Sequence, residues 1–90
     1  MLAVQCKMAR TALGWGVRDL AAAASVSPDT VARLERGEEL KERTVAALRS
    51  ALEAAGVIFI EENGEGPGVR LRKLDTQRIP ERGPLEIDGP

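Results

Sequence analysis

At 90 residues, the chain is long enough for one small hydrophobic core but not for two, so we expect a single small domain. Hydrophobic residues make up 43% of the sequence and charged residues 30%, which is ordinary for a globular protein in water. The net charge of −1 at pH 7 argues against a strong general attraction to polyanions.

Residue types that are scarce in this chain exclude several classes of protein. There is no histidine and one cysteine, so the sequence offers no internal disulfide and no Cys/His set of metal ligands. No nucleophile stands with an evident base, so we expect neither an enzyme nor a cofactor. No apolar run is as long as a membrane span, and the first residues lack the apolar segment of a signal peptide. We therefore expect a cytoplasmic protein that does not use a membrane.

Residues 3–13 predict the first helix. Its inward residues recur at helical spacing: Cys6, Ala9 and Leu13. On this stripe Cys6 is interpreted as a small buried hydrophobe and not as a reactive thiol. Gly14 is expected to end the helix, and Trp15 to cover the edge of the core. The alternative for Trp15 is stacking on a nucleobase, which usually requires several aromatic residues on one surface.

Residues 17–37 predict two short helices, at 17–24 and 28–36, joined by a tight turn. Their apolar or small residues lie on one stripe of each helix: Leu20, Ala21, Ala24, Val26, Val31 and Leu34. Ser27 is a good N-cap, Pro28 suits the first helical position, and Gly37 suits the residue after the second helix. Helices of about eight residues are too short to be stable alone, so these two must cross and share a core. The pattern is a helix-turn-helix.

Residues 41–55 predict the last helix, which Gly56 ends, and its charged residues Glu42, Arg49 and Glu53 are expected to face water. The spacing of hydrophobic residues then changes from the helical period to the two-residue period of a strand. Turn residues at 63–68 separate two apolar stretches. This change predicts a β-hairpin with strands near 57–62 and 69–74. Residues 75–90 carry three prolines and two glycines and predict an extended tail, for which a protein partner is an open possibility.

At this point the sequence resembles a known family. The segment VRDLAAAASVSPDTVARLERG at 17–37 resembles the helix-turn-helix of phage-repressor (Cro/C1-type) and Xre-type transcriptional regulators, and CKMARTALGW at 6–15 resembles their first helix. Residues 46–73 resemble a bacterial variant in which the last helix runs into a Gly-rich hairpin. The positions that match the motif are Ala21, Val31, Leu34, Glu35 and Gly37.

The resemblance implies a mainly α fold and a division of the chain. It implies a four-helix, repressor-like helix-turn-helix domain at 1–56 and a two-stranded β-hairpin at 57–74, whereas the extended tail at 75–90 lies beyond the resemblance and is predicted from composition alone. It implies a sequence-specific, repressor-like transcriptional regulator that binds double-stranded DNA with the helix 28–36 in the major groove. Arg10 and Glu35 resemble the pair that ties the first helix to the third in these regulators.

Carried over by position, the residues that read base edges are Pro28, Asp29, Ala32 and Arg33, with Ser27 and Thr30 near the phosphates. Arg33 is the strongest candidate, because a guanidinium can bind guanine O6 and N7 with two hydrogen bonds. The alternative is a solvated arginine. Asp29 either accepts from cytosine N4 or simply favours the helix N-terminus. The further phosphate contacts, each of which is alternatively a solubilising charge, are Arg18, Arg36, Lys41 and Arg43.

The sequence departs from the family pattern at two positions. Val17 stands where the family usually has Gln, a side chain that contacts a DNA phosphate. Backbone N–H groups at the start of the second helix can still make this contact, with Arg18 as a second source. Ser25 stands where the family usually has Gly with a positive φ. A residue with a Cβ is strained there by roughly 1 kcal/mol.

The first predicted strand indicates a homodimer. Val57, Ile58, Phe59 and Ile60 are all apolar, and the helices of one small domain can cover only one face of the strand. We therefore expect its other face or its open edge to meet the same strand of a second chain.

The alternative function is an antitoxin-like or adaptor module, with a helix-turn-helix scaffold that binds a partner protein and binds DNA weakly or not at all. The charge distribution fits this alternative. Residues 1–50 have a net charge of +2, whereas residues 51–90 have a net charge of −3. Salt-dependent binding of duplex DNA by the isolated chain would distinguish the two functions.

Overall fold

The computed structural model describes residues 1–72, so the predicted tail at 75–90 and the end of the second predicted strand lie outside the described residues. Within 1–72, four helices precede a two-stranded antiparallel sheet. The elements are α1 (Ala3–Ala12), α2 (Val17–Ala24), α3 (Pro28–Glu35), α4 (Glu42–Ala54), β1 (Val57–Ile60) and β2 (Gly68–Leu71). The predicted mainly α fold, with four helices before a hairpin, is confirmed.

The helix ends follow the local signals. The Ser27 hydroxyl accepts a hydrogen bond from the Thr30 backbone N–H at 3.1 Å, which caps α3 as predicted. Gly37 has a φ of 91° immediately after that helix. Ser25 has a φ of 59° and a ψ of 43°, so it adopts the left-handed conformation expected of the glycine that usually stands there. Helices α1, α3 and α4 each end one residue earlier than predicted. The predicted last residues, Leu13, Arg36 and Ala55, are their C-caps.

One hydrophobic core joins all four helices to the first strand. Its buried residues are Cys6, Ala9, Leu20, Ala21, Val31, Leu34, Leu48, Leu52 and Val57. Trp15 is half-buried against this core, as predicted for a residue that covers its edge. Because aromatic residues are few, small and aliphatic side chains must fill the space, and Ala9 and Ala21 allow the helices to approach closely.

The hairpin has one face on the core and one face outside. In the antiparallel register Val57 pairs with Leu71 and Phe59 with Val69, and these pairs share the inner face. Ile58 pairs with Arg70 and Ile60 with Gly68 on the outer face. The first strand is shorter than predicted because the chain turns after residue 60, where the Glu62 carboxylate accepts the N–H groups of Gly64 and Gly66 at 3.0 and 3.2 Å.

A buried glutamine attaches the hairpin to α1. The Gln5 side-chain amide donates to the backbone carbonyls of Ile60 and Gly68, at 3.0 and 3.1 Å, and so bonds both strands at once. Its Oε1 accepts the Leu2 backbone N–H at 2.9 Å, at the start of α1. Gln5 is 2% exposed, and the sequence analysis did not identify it.

The predicted pair of Arg10 and Glu35 is confirmed. Two parallel hydrogen bonds join them, from Nε to Oε2 at 2.7 Å and from Nη2 to Oε1 at 2.9 Å, and they tie α1 to α3. Arg10 Nη1 also donates to the Trp15 backbone carbonyl at 3.3 Å. The Cys6 thiol is buried beside this pair, with its Sγ 3.5 Å from Glu35 Oε2. Burial, followed by the charge of Glu35, raises the pKa of Cys6 to about 12, so the thiol is neutral and unreactive.

Arg49 corrects one expectation. Its position on α4 predicted a solvated charge, but its guanidinium lies 4.8 Å from the centroid of the Phe59 ring. It also pairs with Glu53 at 3.0 Å and with Glu61 at 3.6 Å. This arginine therefore covers the inner face of β1, a role that depends on contacts between distant segments.

Candidate nucleic-acid interface

The predicted recognition helix turns one face outward. Val31 and Leu34 are buried, which directs Ala32 and Arg33 away from the core. At the start of the helix, Pro28 is half-buried at the first position and Asp29 is exposed in the first turn. The exposed surface of α3 therefore contains the predicted base readers. Its charged side chains are Asp29 in the first turn and Arg33 in the last turn.

An open cleft of about 470 Å³ lies between α3 and the segment that leads into α4. Four of the predicted contact residues line it together: Ser27, Thr30, Arg33 and Lys41. The hydroxyls of Ser27 and Thr30 are 2.9 Å apart and share a hydrogen bond. Two cationic side chains and several hydroxyls make this wall suitable for an anion, although Glu39 also lines the cleft.

The end of α3 positions a carboxylate that the sequence analysis did not identify. The Gly37 N–H bonds the Leu34 carbonyl at 2.9 Å, and the Glu38 N–H bonds the Arg33 carbonyl at 3.0 Å. These two bonds form a Schellman motif, which requires the positive φ of Gly37. The motif folds Glu38 back along the helix that it terminates. A sequence signal existed, since the residue after a C′ glycine takes this position, but its side-chain partners depend on the exact turn.

Glu38 contacts both arginines at the end of α3. Its Oε1 accepts from Arg33 Nε at 2.9 Å, and its Oε2 accepts from Arg36 Nε at 3.3 Å and Nη2 at 3.0 Å. Hydrogen bonds from Arg33 and then Arg36 hold the pKa of Glu38 below its usual value. The same hydrogen bond raises the pKa of Arg33, so Arg33 and Glu38 are both charged at neutral pH.

The remaining predicted phosphate contacts lie on other segments. Lys41 is the exposed N-cap of α4, and Arg43 is exposed in its first turn. Arg18 is exposed in the first turn of α2. Among residues 1–72, none of these three cations forms an ion pair within 4.0 Å. They are available for an external anion, but the structure does not place Arg18 and Arg43 in the cleft.

The start of α2 already has an acidic partner. The Asp19 carboxylate accepts the Gly16 N–H at 2.8 Å, and Asp19 is the acidic residue of the first turn. A phosphate that approached this helix end would meet a negative charge as well as the remaining N–H groups. The Asp19 carboxylate therefore reduces the attraction of this helix end for an anion.

The four residues predicted for the subunit interface separate by strand face. Val57 is buried in the core and Phe59 lies under Arg49. Ile58 and Ile60 belong to the outer face, and Ile58 is 39% exposed. Only these two isoleucines are thus directed away from the domain.

Two general properties of the described chain also bear on function. No helix within residues 1–72 is long and apolar enough to cross a membrane. In the same part of the chain, no three His, Cys, Asp or Glu residues lie close enough together to hold a metal ion.

Comparison with known proteins agrees with this geometry. A family model described as a helix-turn-helix domain matches residues 2–57, which is more than half of the chain and ends where the hairpin begins. No protein with a curated description matches the chain. The helix-turn-helix is a motif whose second helix commonly enters the major groove, so the match supports a DNA-binding regulator. The chain belongs to the helix-turn-helix domain family.

Proposed function

We propose that the protein is a sequence-specific, repressor-like transcriptional regulator of the Xre type that binds double-stranded DNA as a homodimer, with α3 in the major groove. The observation that carries this proposal is the outward face of α3 beside the cleft, where Arg33 and Lys41 stand with the hydroxyls of Ser27 and Thr30. Such a surface combines a base-reading guanidinium with groups that bind phosphate.

The contacts divide by chemistry. Arg33 reads guanine, and the short side chains of Pro28 and Ala32 allow the helix to approach the base edges. Ser27, Thr30 and Lys41 contact phosphates on one side of the groove. Arg18, Arg36 and Arg43 are the additional phosphate contacts, and Asp29 either accepts from cytosine or stabilises the N-terminus of α3.

Dimerisation follows from the small size of this interface. One recognition helix contacts only a few base pairs, so useful affinity requires two half-sites that are read by a symmetric pair. In this proposal the hairpin at 57–74 joins the subunits through Ile58 and Ile60 and through the open edge of β1. Val57 and Phe59 support that strand from the inner face.

Selection of bound sites from random duplex DNA tests the DNA function directly. The unmodified chain should enrich a symmetric site, and its affinity should fall as salt rises. Arg33→Ala should relax base preference at one position of each half-site, whereas Lys41→Ala should weaken binding to all duplexes alike. If Arg33→Ala lowered affinity for every duplex equally, Arg33 would not be the base reader.

Light scattering at micromolar concentration tests the homodimer. Ile58→Asp should give a folded monomer that no longer retains the selected duplex. Glu65→Ala, in the exposed hairpin loop, is the matched control and should remain dimeric. A monomer mass for the unmodified protein, both with and without DNA, would contradict the dimer.

The second candidate is the antitoxin-like or adaptor module. The observation that favours it is the Glu38 carboxylate, which offsets the charge of Arg33 and Arg36 on the surface that would face DNA. In that case the hairpin or the tail binds a partner protein. Failure of the unmodified chain to bind any duplex at low salt would favour this candidate.

A further inference from the structure

The three charged side chains at the end of α3 form a cluster that stability does not explain. The side chains of Arg33, Arg36 and Glu38 are 43%, 58% and 44% exposed. Exposed ion pairs contribute little to folding, because water screens the attraction and ordering long side chains is entropically unfavourable. The cluster also connects only neighbouring residues, so it does not join distant parts of the fold.

The terminal amino groups of Arg33, Nη1 and Nη2, are not used by Glu38. Glu38 accepts from its Nε, and among residues 1–72 no other group accepts a hydrogen bond from its Nη1 or Nη2. These two terminal amino groups form the planar fork that matches guanine O6 and N7. A carboxylate that blocked DNA binding would instead occupy the Nη1–Nη2 fork.

Arg36 is held differently. It donates to Glu38 from both Nε and Nη2, so one whole side of its guanidinium faces the carboxylate. The nearby negative charge reduces the attraction of Arg36 for a phosphate. One carboxylate therefore orients the first arginine and partly neutralises the second.

The backbone fixes Glu38 in this place. Its N–H bonds the Arg33 carbonyl at 3.0 Å within the Schellman motif, so the same turn that ends α3 holds the carboxylate beside the Arg33 side chain. Because the backbone of Glu38 is already fixed, only its side-chain torsions must be ordered when it binds a guanidinium.

We propose that Glu38 is a specificity-determining positioning residue, which holds Arg33 by its Nε so that Nη1 and Nη2 face the base edge, and which reduces the sequence-independent attraction of Arg36 for phosphate. This inference rests on the proposed DNA-binding function. Glu38 thus affects base preference through Arg33 and does not contact DNA itself.

The test uses the full chain and a duplex that the unmodified protein selects from a random library. Base substitutions in this duplex, compared between the unmodified chain and Arg33→Ala, first locate the guanine that depends on Arg33. Glu38→Ala should lower the preference for this guanine at least about fivefold. It should also strengthen binding to unrelated duplexes and steepen the dependence of log affinity on log salt by about 1.

Three further variants separate positioning from a change in charge. Glu42→Ala removes the same charge at the start of α4, outside the cleft and without an ion pair within residues 1–72, and should retain the guanine preference. Glu38→Gln keeps an oxygen that can accept from Arg33 Nε and should retain more of the preference than Glu38→Ala. In the Arg33→Ala background, Glu38→Ala should not change base preference further.

The outcomes distinguish this inference from the proposed function. Guanine preference that stays within about twofold in Glu38→Ala would overturn the positioning role, even if DNA binding is intact. Tighter binding of the selected duplex with unchanged preference would show that Glu38 masks the arginines. If the unmodified chain selected no duplex, the proposed function and this inference would both fail. Thermal unfolding of each variant verifies that it is folded.

Discussion

Helix α3 takes part in two arginine–glutamate clusters with the same chemistry and different surroundings. The Arg10–Glu35 pair connects α1 and α3 through residues 25 positions apart in sequence, and its side chains are only 16% and 10% exposed. The Glu38 cluster connects residues within one turn and lies open to solvent. A charged pair that joins two elements in a poorly solvated site contributes to the fold, whereas an exposed pair mainly orients its members.

Loss of one partner of the buried pair should have the largest effect on stability. Within residues 1–72, Glu35→Ala leaves the Arg10 guanidinium with the Trp15 carbonyl as its one acceptor, and we expect the free energy of unfolding to fall by about 3 kcal/mol. Urea unfolding measures this change. Glu38→Ala is the matched control and should leave the urea midpoint unchanged. Equal losses in the two variants would contradict the distinction between the clusters.

Gln5 extends the comparison to a buried polar group without charge. In Gln5→Ala the carbonyls of Ile60 and Gly68 lose their donor, and we expect a loss of about 2 kcal/mol. Hydrogen exchange should quicken at the hairpin amides more than at those of α2. Lys7→Ala, an exposed substitution on the same helix, serves as the control. Equal protection of the hairpin in both variants would mean that the glutamine does not attach it.

The thiol beside the buried pair should make stability depend on pH. The pKa of Cys6 is about 12 in the folded protein against 9.0 for a free thiol, so only the unfolded chain loses this proton near pH 10. Stability from this group is complete below pH 9.0 and falls as pH rises towards 12. The expected loss at about pH 10 is about 1.4 kcal/mol relative to Cys6→Ala. Rapid alkylation of the folded protein would contradict this assignment.

The smallest expected change concerns the turn between α2 and α3. Ser25→Gly removes a Cβ from a left-handed residue, so the free energy of unfolding should rise by between zero and about 1 kcal/mol, with DNA binding intact. Ala23→Gly, within α2, is the matched control and should lose about 1 kcal/mol. Differential scanning calorimetry can resolve both. A lower melting temperature for Ser25→Gly would reveal a contact of the serine hydroxyl.

Features that depend on neighbouring residues were predicted from the sequence. The Ser27 cap, the helix end at Gly37 and the four helices require only local hydrogen bonds and hydrophobic periodicity. The positive φ at Ser25 was expected from the resemblance to a family, whose members usually have Gly there. The Arg10–Glu35 pair was expected only from the resemblance to a family, because no spacing rule joins residues that far apart.

Features that depend on the assembled fold were missed. Gln5 bonds residues that are 55 and 63 positions away, so its role exists only after the hairpin has docked on α1. Arg49 was interpreted as a surface charge because its helix position does not reveal that Phe59 packs beneath it. Glu38 is local, but its contacts require the side chains of two arginines to turn towards the end of α3. In the candidate site, the sequence therefore predicted the exposed residues of α3 more readily than the carboxylate that contacts the arginines at its end.

The amide of Gln5 also ties the register of the hairpin to α1. It binds main-chain oxygens on facing residues of both strands, Ile60 and Gly68, and it does not bind their side chains. A slip of the hairpin by one residue would carry at least one of these oxygens away from the amide and reverse the inner and outer faces of the moving strand. The outer side chains, Ile58 among them, can therefore change without loosening the attachment, because the alignment of the strand is held from the opposite side.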